Sequence, residues 1–171
     1  MLYLGNTKIT PIINNNKAFV PPYITSGATV TDKHGTWTAV TNKEYEQDMV
    51  HYIFDGEKEG IDSWWSGNTN LNYPIYVGLE FPKLYQIACV TIYNENSSTS
   101  ATFDCDLEGL DENNEWQTLE AEIEIEKIPN ETNPQIYVLY DKGNYKGFRV
   151  VFNNSTANWG CCLNEIELVL V

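Results

Sequence analysis

From residue 75 to residue 170 the chain alternates apolar and polar side chains in one short stretch after another. This period of two limits its fold more than any other feature. Ile75, Val77, Leu79 and Phe81 share one side of the first stretch. Ala88, Val90 and Ile92 share one side of the next, against Cys89, Thr91 and Tyr93. Phe103, Cys105 and Leu107 oppose Asp104, Asp106 and Glu108. Phe148, Val150 and Phe152 make a further face, and Ile166, Leu168 and Leu170 the last. Successive side chains of a strand point to opposite faces, so each stretch reads as a strand with one face buried. Turn-forming clusters separate them at 94–100, 111–115, 129–134, 141–146 and 153–158. Short strands at this spacing predict an all-β protein, an antiparallel β-sandwich. One helix is expected, over 42–50, where Glu44, Glu46, Gln47 and Asp48 give an acidic start. Residues 119–128, in which Glu alternates with Ala or Ile, read as an exposed strand with a solvated acidic face.

At 171 residues, with 13% aromatics, the chain has the bulk for one domain, or one domain and a short extension. Asn14-Asn15-Asn16 and Pro21-Pro22 punctuate its start, so residues 1–30 read as an edge or attachment segment and 31–171 as the sandwich domain. Ten Lys and Arg face 24 Asp and Glu, a net charge of −14. That balance excludes a nucleic-acid backbone as partner and suits an anionic membrane poorly. No apolar run reaches the roughly 18 residues of a spanning helix. The opening residues lack the charged and apolar regions of a signal peptide, so none is expected. Cys89, Cys105, Cys161 and Cys162 have neither disulfide-framework nor zinc spacing, so they are expected as free thiols, Cys89 and Cys105 as small buried hydrophobes. His34 and His51 have no evident partner, and no GxSxG, HExxH, P-loop or GxGxxG motif occurs, so no enzyme is expected.

Several segments follow one another in a recognisable order: Tyr52-Ile53-Phe54-Asp55-Gly56, then Ser63-Trp64-Trp65-Ser66, the strand 74–81, and the strand ending in Tyr93-Asn94. The stretch from Leu107 through Asp111 to Trp116-Gln117-Thr118-Leu119 follows. Gly147-Phe148-Arg149-Val150 and Leu163-Asn164-Glu165-Ile166-Glu167-Leu168 close the series. Over about residues 35–171 this order resembles the discoidin, or coagulation factor 5/8 type C, group, with its family 32 carbohydrate-binding modules. The resemblance implies a jelly-roll sandwich of the galactose-binding type. Gly78-Leu79-Glu80 stands where the group usually has Asp-Leu-Gly, Glu112 replaces the second residue of its Asp-Gly turn, and the flanking cysteines of the animal domains are missing.

The resemblance also implies sites. The group commonly holds a structural calcium, here matched by Asp55, Ser63 and Glu165 with backbone carbonyls between 56 and 63. A carboxylate loop with carbonyls offers the six to eight hard oxygens calcium takes. Sugar binders of the group use loops at one end of the sandwich, matched here by Asn94 and Asn96, by Asn70, Asn72 and Tyr73, and by Trp159. An aromatic face stacks on the C–H face of a sugar, and amides fork to its hydroxyls. Trp65 and Trp116 match core positions of the group. The loop 95–100 lacks the Arg or His that such binders often carry there. Separately, Leu2-Tyr3-Leu4-Gly5-Asn6-Thr7-Lys8-Ile9 is similar to the openings of many phage tail and other structural proteins. Together these resemblances imply a non-catalytic module for cell-surface or polysaccharide glycans, at a virion or outside the cell. They also imply contacts to other virion proteins through 1–30. The alternative is a virion decoration protein that uses the sandwich for protein contacts.

Overall fold

The alternating stretches run as strands in the computed structural model, which describes residues 18–44, 49–58, 63–67, 72–95, 97–139 and 143–171, and the backbone of 3–4 and 7–8. Those two short pieces pair as β1 (Tyr3–Leu4) and β2 (Thr7–Lys8), with Tyr3 opposite Lys8. The body consists of β3 (Thr29–Asp32), β4 (Gly35–Thr41), β5 (Trp64–Trp65), β6 (Ile75–Tyr93), β7 (Ala101–Leu110), β8 (Trp116–Lys127), β9 (Gln135–Val138), β10 (Asn144–Ser155), β11 (Cys162–Leu163) and β12 (Glu165–Leu170). Its ladders are antiparallel.

The 19-residue β6 belongs to both layers. Its first part pairs with β10 and β4, within the order β3-β4-β6-β10-β7-β8. Its last part, from Ile87, pairs with β12 and β9. Pro82 falls in the gap of the β10 ladder between the partnered residues Glu80 and Tyr85, where its missing N–H leaves no rung unmade. The alternation predicts the core correctly. Val77, Leu79, Phe103, Cys105, Leu107, Phe148, Val150 and Phe152 from the large layer face Val90, Ile92, Ile166, Leu168 and Leu170 from the small one, all buried. Phe152 lies 5.6 Å from Trp64 in a stacked pair and 5.6 Å from Phe103 edge-on. All four thiols are free and buried. Glu120, Glu122, Glu124 and Glu126 of β8 are exposed, as the sequence pattern indicates.

Two expectations are corrected. Helical turns cover Met49–Phe54, as a 3-10 helix whose Val50, Ile53 and Phe54 are buried. Asn42, Lys43 and Glu44 are not helical, and 45–48 lie outside the described residues. The packing of three apolar residues outweighs the acidic start. Residues 18–30 run against the body: Phe19 exchanges backbone hydrogen bonds with Leu170 at 3.0 and 2.9 Å, and Ile24 is fully buried. The second correction is that Trp116 lies outside the core. Its ring and that of Tyr76 enclose the Arg149 guanidinium at 4.1 and 4.6 Å on the outer face of the large layer, where Arg149 pairs with Glu108 at 2.6 Å. This layer explains Gly78: a Cβ there would meet the Phe148 carbonyl at 2.1 Å and the Arg149 Cβ at 2.6 Å.

Phe152→Ala leaves a cavity among rings that cannot collapse into it. It is expected to cost about 3–5 kcal/mol of unfolding free energy in a denaturant titration.

Candidate functional site

Three connections at one end of the sandwich pass from the large layer to the small one or back: 94–100, 128–134 and 156–161. The last is tightly pinned. The Trp65 indole N–H donates to the Trp159 carbonyl at 2.6 Å, and Ser66 and Cys161 are joined by their backbones at 2.9 Å. The Ser66 hydroxyl accepts the Cys161 N–H at 2.9 Å, and Thr156 bonds Thr102 at 3.0 Å. Gly160, at φ 97°, lies so close to Gly67 that a Cβ would meet its carbonyl at 2.2 Å. A side chain would also be strained at that φ. Trp159 therefore sits on a fixed turn. Its ring is half-buried, edge-on to Phe103 at 6.3 Å, with the Lys127 ammonium 5.9 Å from its centroid.

The structure gathers part of the expected ligand set here. The half-buried Tyr73 reaches the same loop, its hydroxyl 3.7 Å from the Cys161 sulfur, and Asn72 beside it is exposed. Burial raises the Tyr73 hydroxyl above the usual tyrosine value, so it stays protonated at neutral pH. Asn94 departs from the exposed set: it is fully enclosed, and its amide donates to the Glu126 carbonyl, tying the end of β6 to β8. Asn70 and Asn96 lie outside the described residues. Lys127 and Glu95, which the sequence reading passed over, belong to this end. Lys127 is buried beneath the 95–100 loop, and the Cys162 thiol lies 3.6 Å from Glu95 Oε2. Burial pushes the Cys161 thiol up to about 12 and Cys162 well above its ordinary value, so neither is a thiolate nucleophile at neutral pH.

The acidic loop lies where β12 begins. Glu165 is buried and accepts the Gly56 N–H at 3.1 Å. Asp55 Oδ1 accepts the Glu57 N–H at 2.8 Å. Asn164, missed as a site residue although it precedes the closing Glu, donates its amide to the Glu57 carbonyl at 3.1 Å. Its buried Oδ1 has no hydrogen-bond partner. Ser63 is buried. Enclosure drives the Glu165 carboxyl up to about 9, against the Gly56 N–H and helped by the charges of Asp55 and Glu167. Among the described residues no three His, Cys, Asp or Glu side chains converge as metal ligands. A cation here would rest on Asp55, Glu165 and neutral oxygens. That set fits a hard cation, and the unpartnered Asn164 oxygen and the under-compensated Glu165 are the groups one would satisfy.

No family model and no curated protein matches the chain. Solved structures do share its fold. The family 32 carbohydrate-binding module of Clostridium perfringens NanJ, in complex with galactose, superposes at a TM-score of 0.57 with 12% identity, over 83% of this chain and 98% of that one. An F5/8 type C domain from Bacteroides fragilis gives 0.58 at 16% identity, over 84% and 97%. The family 32 module of AlyQ, in complex with 4,5-unsaturated mannuronic acid, gives 0.59 at 10% identity, over 84% and 96%. The sandwich is thus of the type shared by these modules and F5/8 type C domains.

Glu165 sets a pH dependence whose sign follows from its raised value. The folded state holds this proton more tightly than the unfolded chain, so the contribution is complete below about pH 4.5 and is lost as pH climbs towards about 9. In metal-free buffer, Glu165→Gln is expected to remove that decline, seen as a flatter plot of denaturation midpoint against pH.

Proposed function

We propose that the chain is a non-catalytic carbohydrate-binding module that takes a glycan at the loop end around Trp159. The observation that carries this reading is a partly buried Trp159 on a turn held by hydrogen bonds, with Tyr73 and the exposed Asn72 on the neighbouring segment. A ring held in place stacks on a sugar without first losing rotamer freedom, and amide and hydroxyl groups beside it orient the ligand. The shared fold with modules solved in complex with galactose and with an unsaturated mannuronic acid supports the same reading.

The expected ligand is a neutral glycan of a cell surface or polysaccharide. The described residues of 72–74, 94–100, 128–134 and 155–162 include no Lys, Arg or His, and Lys127 is enclosed, so no exposed cation in these segments would pair with a sugar carboxylate. The net charge of −14 acts in the same direction. Trp159→Ala is expected to reduce binding about tenfold or more on a glycan array and in titration with the best-bound glycan. Equal binding by the variant removes the site assignment.

The same proposal includes a structural calcium at Asp55, Glu165 and Ser63, with Asn164 Oδ1 as a further oxygen. It would hold the 55–58 loop against β12 and take no part in chemistry. Adding calcium to chelated protein should raise the melting temperature, with about 2.7 kcal/mol of stabilisation at a hundredfold excess over Kd. Glu165→Gln should abolish the shift.

A second reading, attachment to a virion through the first residues, rests on the resemblance of residues 2–9 to phage structural-protein openings. Removing residues 1–17 tests it, because that cut spares Phe19 and Ile24 of the body. Loss of oligomerisation or particle binding with an unchanged melting temperature is the expected result.

A further inference from the structure

Lys127 is the one Lys or Arg between residues 84 and 141, and its side chain is 0% exposed. It ends a strand whose other charged side chains are glutamates in water. Its ammonium donates to the Ser97 hydroxyl at 2.7 Å, the Thr99 carbonyl at 2.7 Å and the Thr99 hydroxyl at 3.1 Å. Glu95 Oε2 lies 3.9 Å away, and the Trp159 ring centroid 5.9 Å. Three N–H donors thus meet three neutral oxygens of one short loop, while the cation faces the indole. Asn130 fastens the outside of that loop, its N–H donating to the Ser97 carbonyl at 2.8 Å.

An enclosed ammonium is a costly way to fill space, since an apolar side chain of similar length would pack there without desolvating a charge. What Lys127 does that such a side chain cannot is hold Ser97 and Thr99 at fixed distances from Trp159. We propose that Lys127 is a positioning residue of the glycan site. From inside the strand it orders the 97–99 wall and the adjacent indole before any ligand arrives, and so lowers the ordering cost of binding. It does not touch the ligand. The inference rests on the reading of the Trp159 end as the glycan site.

The test uses the full chain with Lys127→Met, the double variant Ser97→Ala/Thr99→Val, and Trp159→Ala as the binding-dead control. Amide hydrogen exchange is followed by mass spectrometry, and affinity is titrated with the best-bound glycan from the array. In Lys127→Met, core strands such as β6 and β10 should stay protected while exchange over 97–99 speeds up by about tenfold or more. Glycan affinity should fall by about tenfold. The double variant, which keeps Lys127 and strips two of its acceptors, should shift both readouts the same way, and it decides the matter if Lys127→Met does not fold. Unchanged protection over 97–99, or glycan affinity that survives both variants while Trp159→Ala abolishes it, overturns the role of Lys127 alone. A wild-type chain that binds no glycan overturns the glycan reading and this role with it.

Discussion

The backbone of β6 has to satisfy two sheets with one set of donors and acceptors, and the arrangement of the loop end follows from that. The strand pairs with the large layer as far as Gln86, joins the small layer from Ile87, and ends there at Tyr93. The chain must then cross the thickness of the sandwich, roughly 10 Å, to start β7 at Ala101. The connection after β8 crosses the other way, as does the one after β10. Loops that span two layers cannot be tight two-residue turns. Trp159 lies partly buried at this end of the core, with the enclosed Lys127 ammonium 5.9 Å from its ring centroid. The opposite end, with the short 111–115 hairpin joining neighbours β7 and β8, has no such requirement there.

Two charged side chains are buried near this end, and they are compensated in opposite ways. Lys127 meets a full set of neutral oxygens from one loop, so its charge works as a fastening. Glu165 has the Gly56 N–H and two acidic neighbours, so its environment favours the protonated form. The first is complete within the chain. The second is relieved by a proton or by a cation, which gives the acidic loop a stability that depends on the medium.

The core was readable because alternation carries its own proof: a face with Phe148, Val150 and Phe152 has one place to go. The same parity reaches further than hydrophobicity suggests. Asn94 continues the inward series Ala88, Val90 and Ile92, and Lys127 continues Ile125, yet both are polar and look like loop residues. Their partners, the Glu126 carbonyl and the oxygens of Ser97 and Thr99, are about thirty residues away in sequence, so no local pattern reveals them. Trp116 misleads in the opposite sense. Its bulk argues for burial, but its ring lies against the Arg149 guanidinium on the outer face instead. Asn164 and Glu165 both stand in the closing motif, and Glu165 is legible there as a site residue. The unpartnered oxygen of Asn164 is a fact of packing that no one-dimensional reading contains.

The four thiols have a practical consequence. Cys89, Cys105, Cys161 and Cys162 are exposed by 3%, 0%, 0% and 2%, and burial raises each of them above the ordinary thiol value. A maleimide reacts with an accessible thiolate, and the folded chain presents none. A cysteine introduced at the exposed Asn72 would become the sole labelling position of the native protein. A dye placed there would report on the loop end without any of the native cysteines having to be removed.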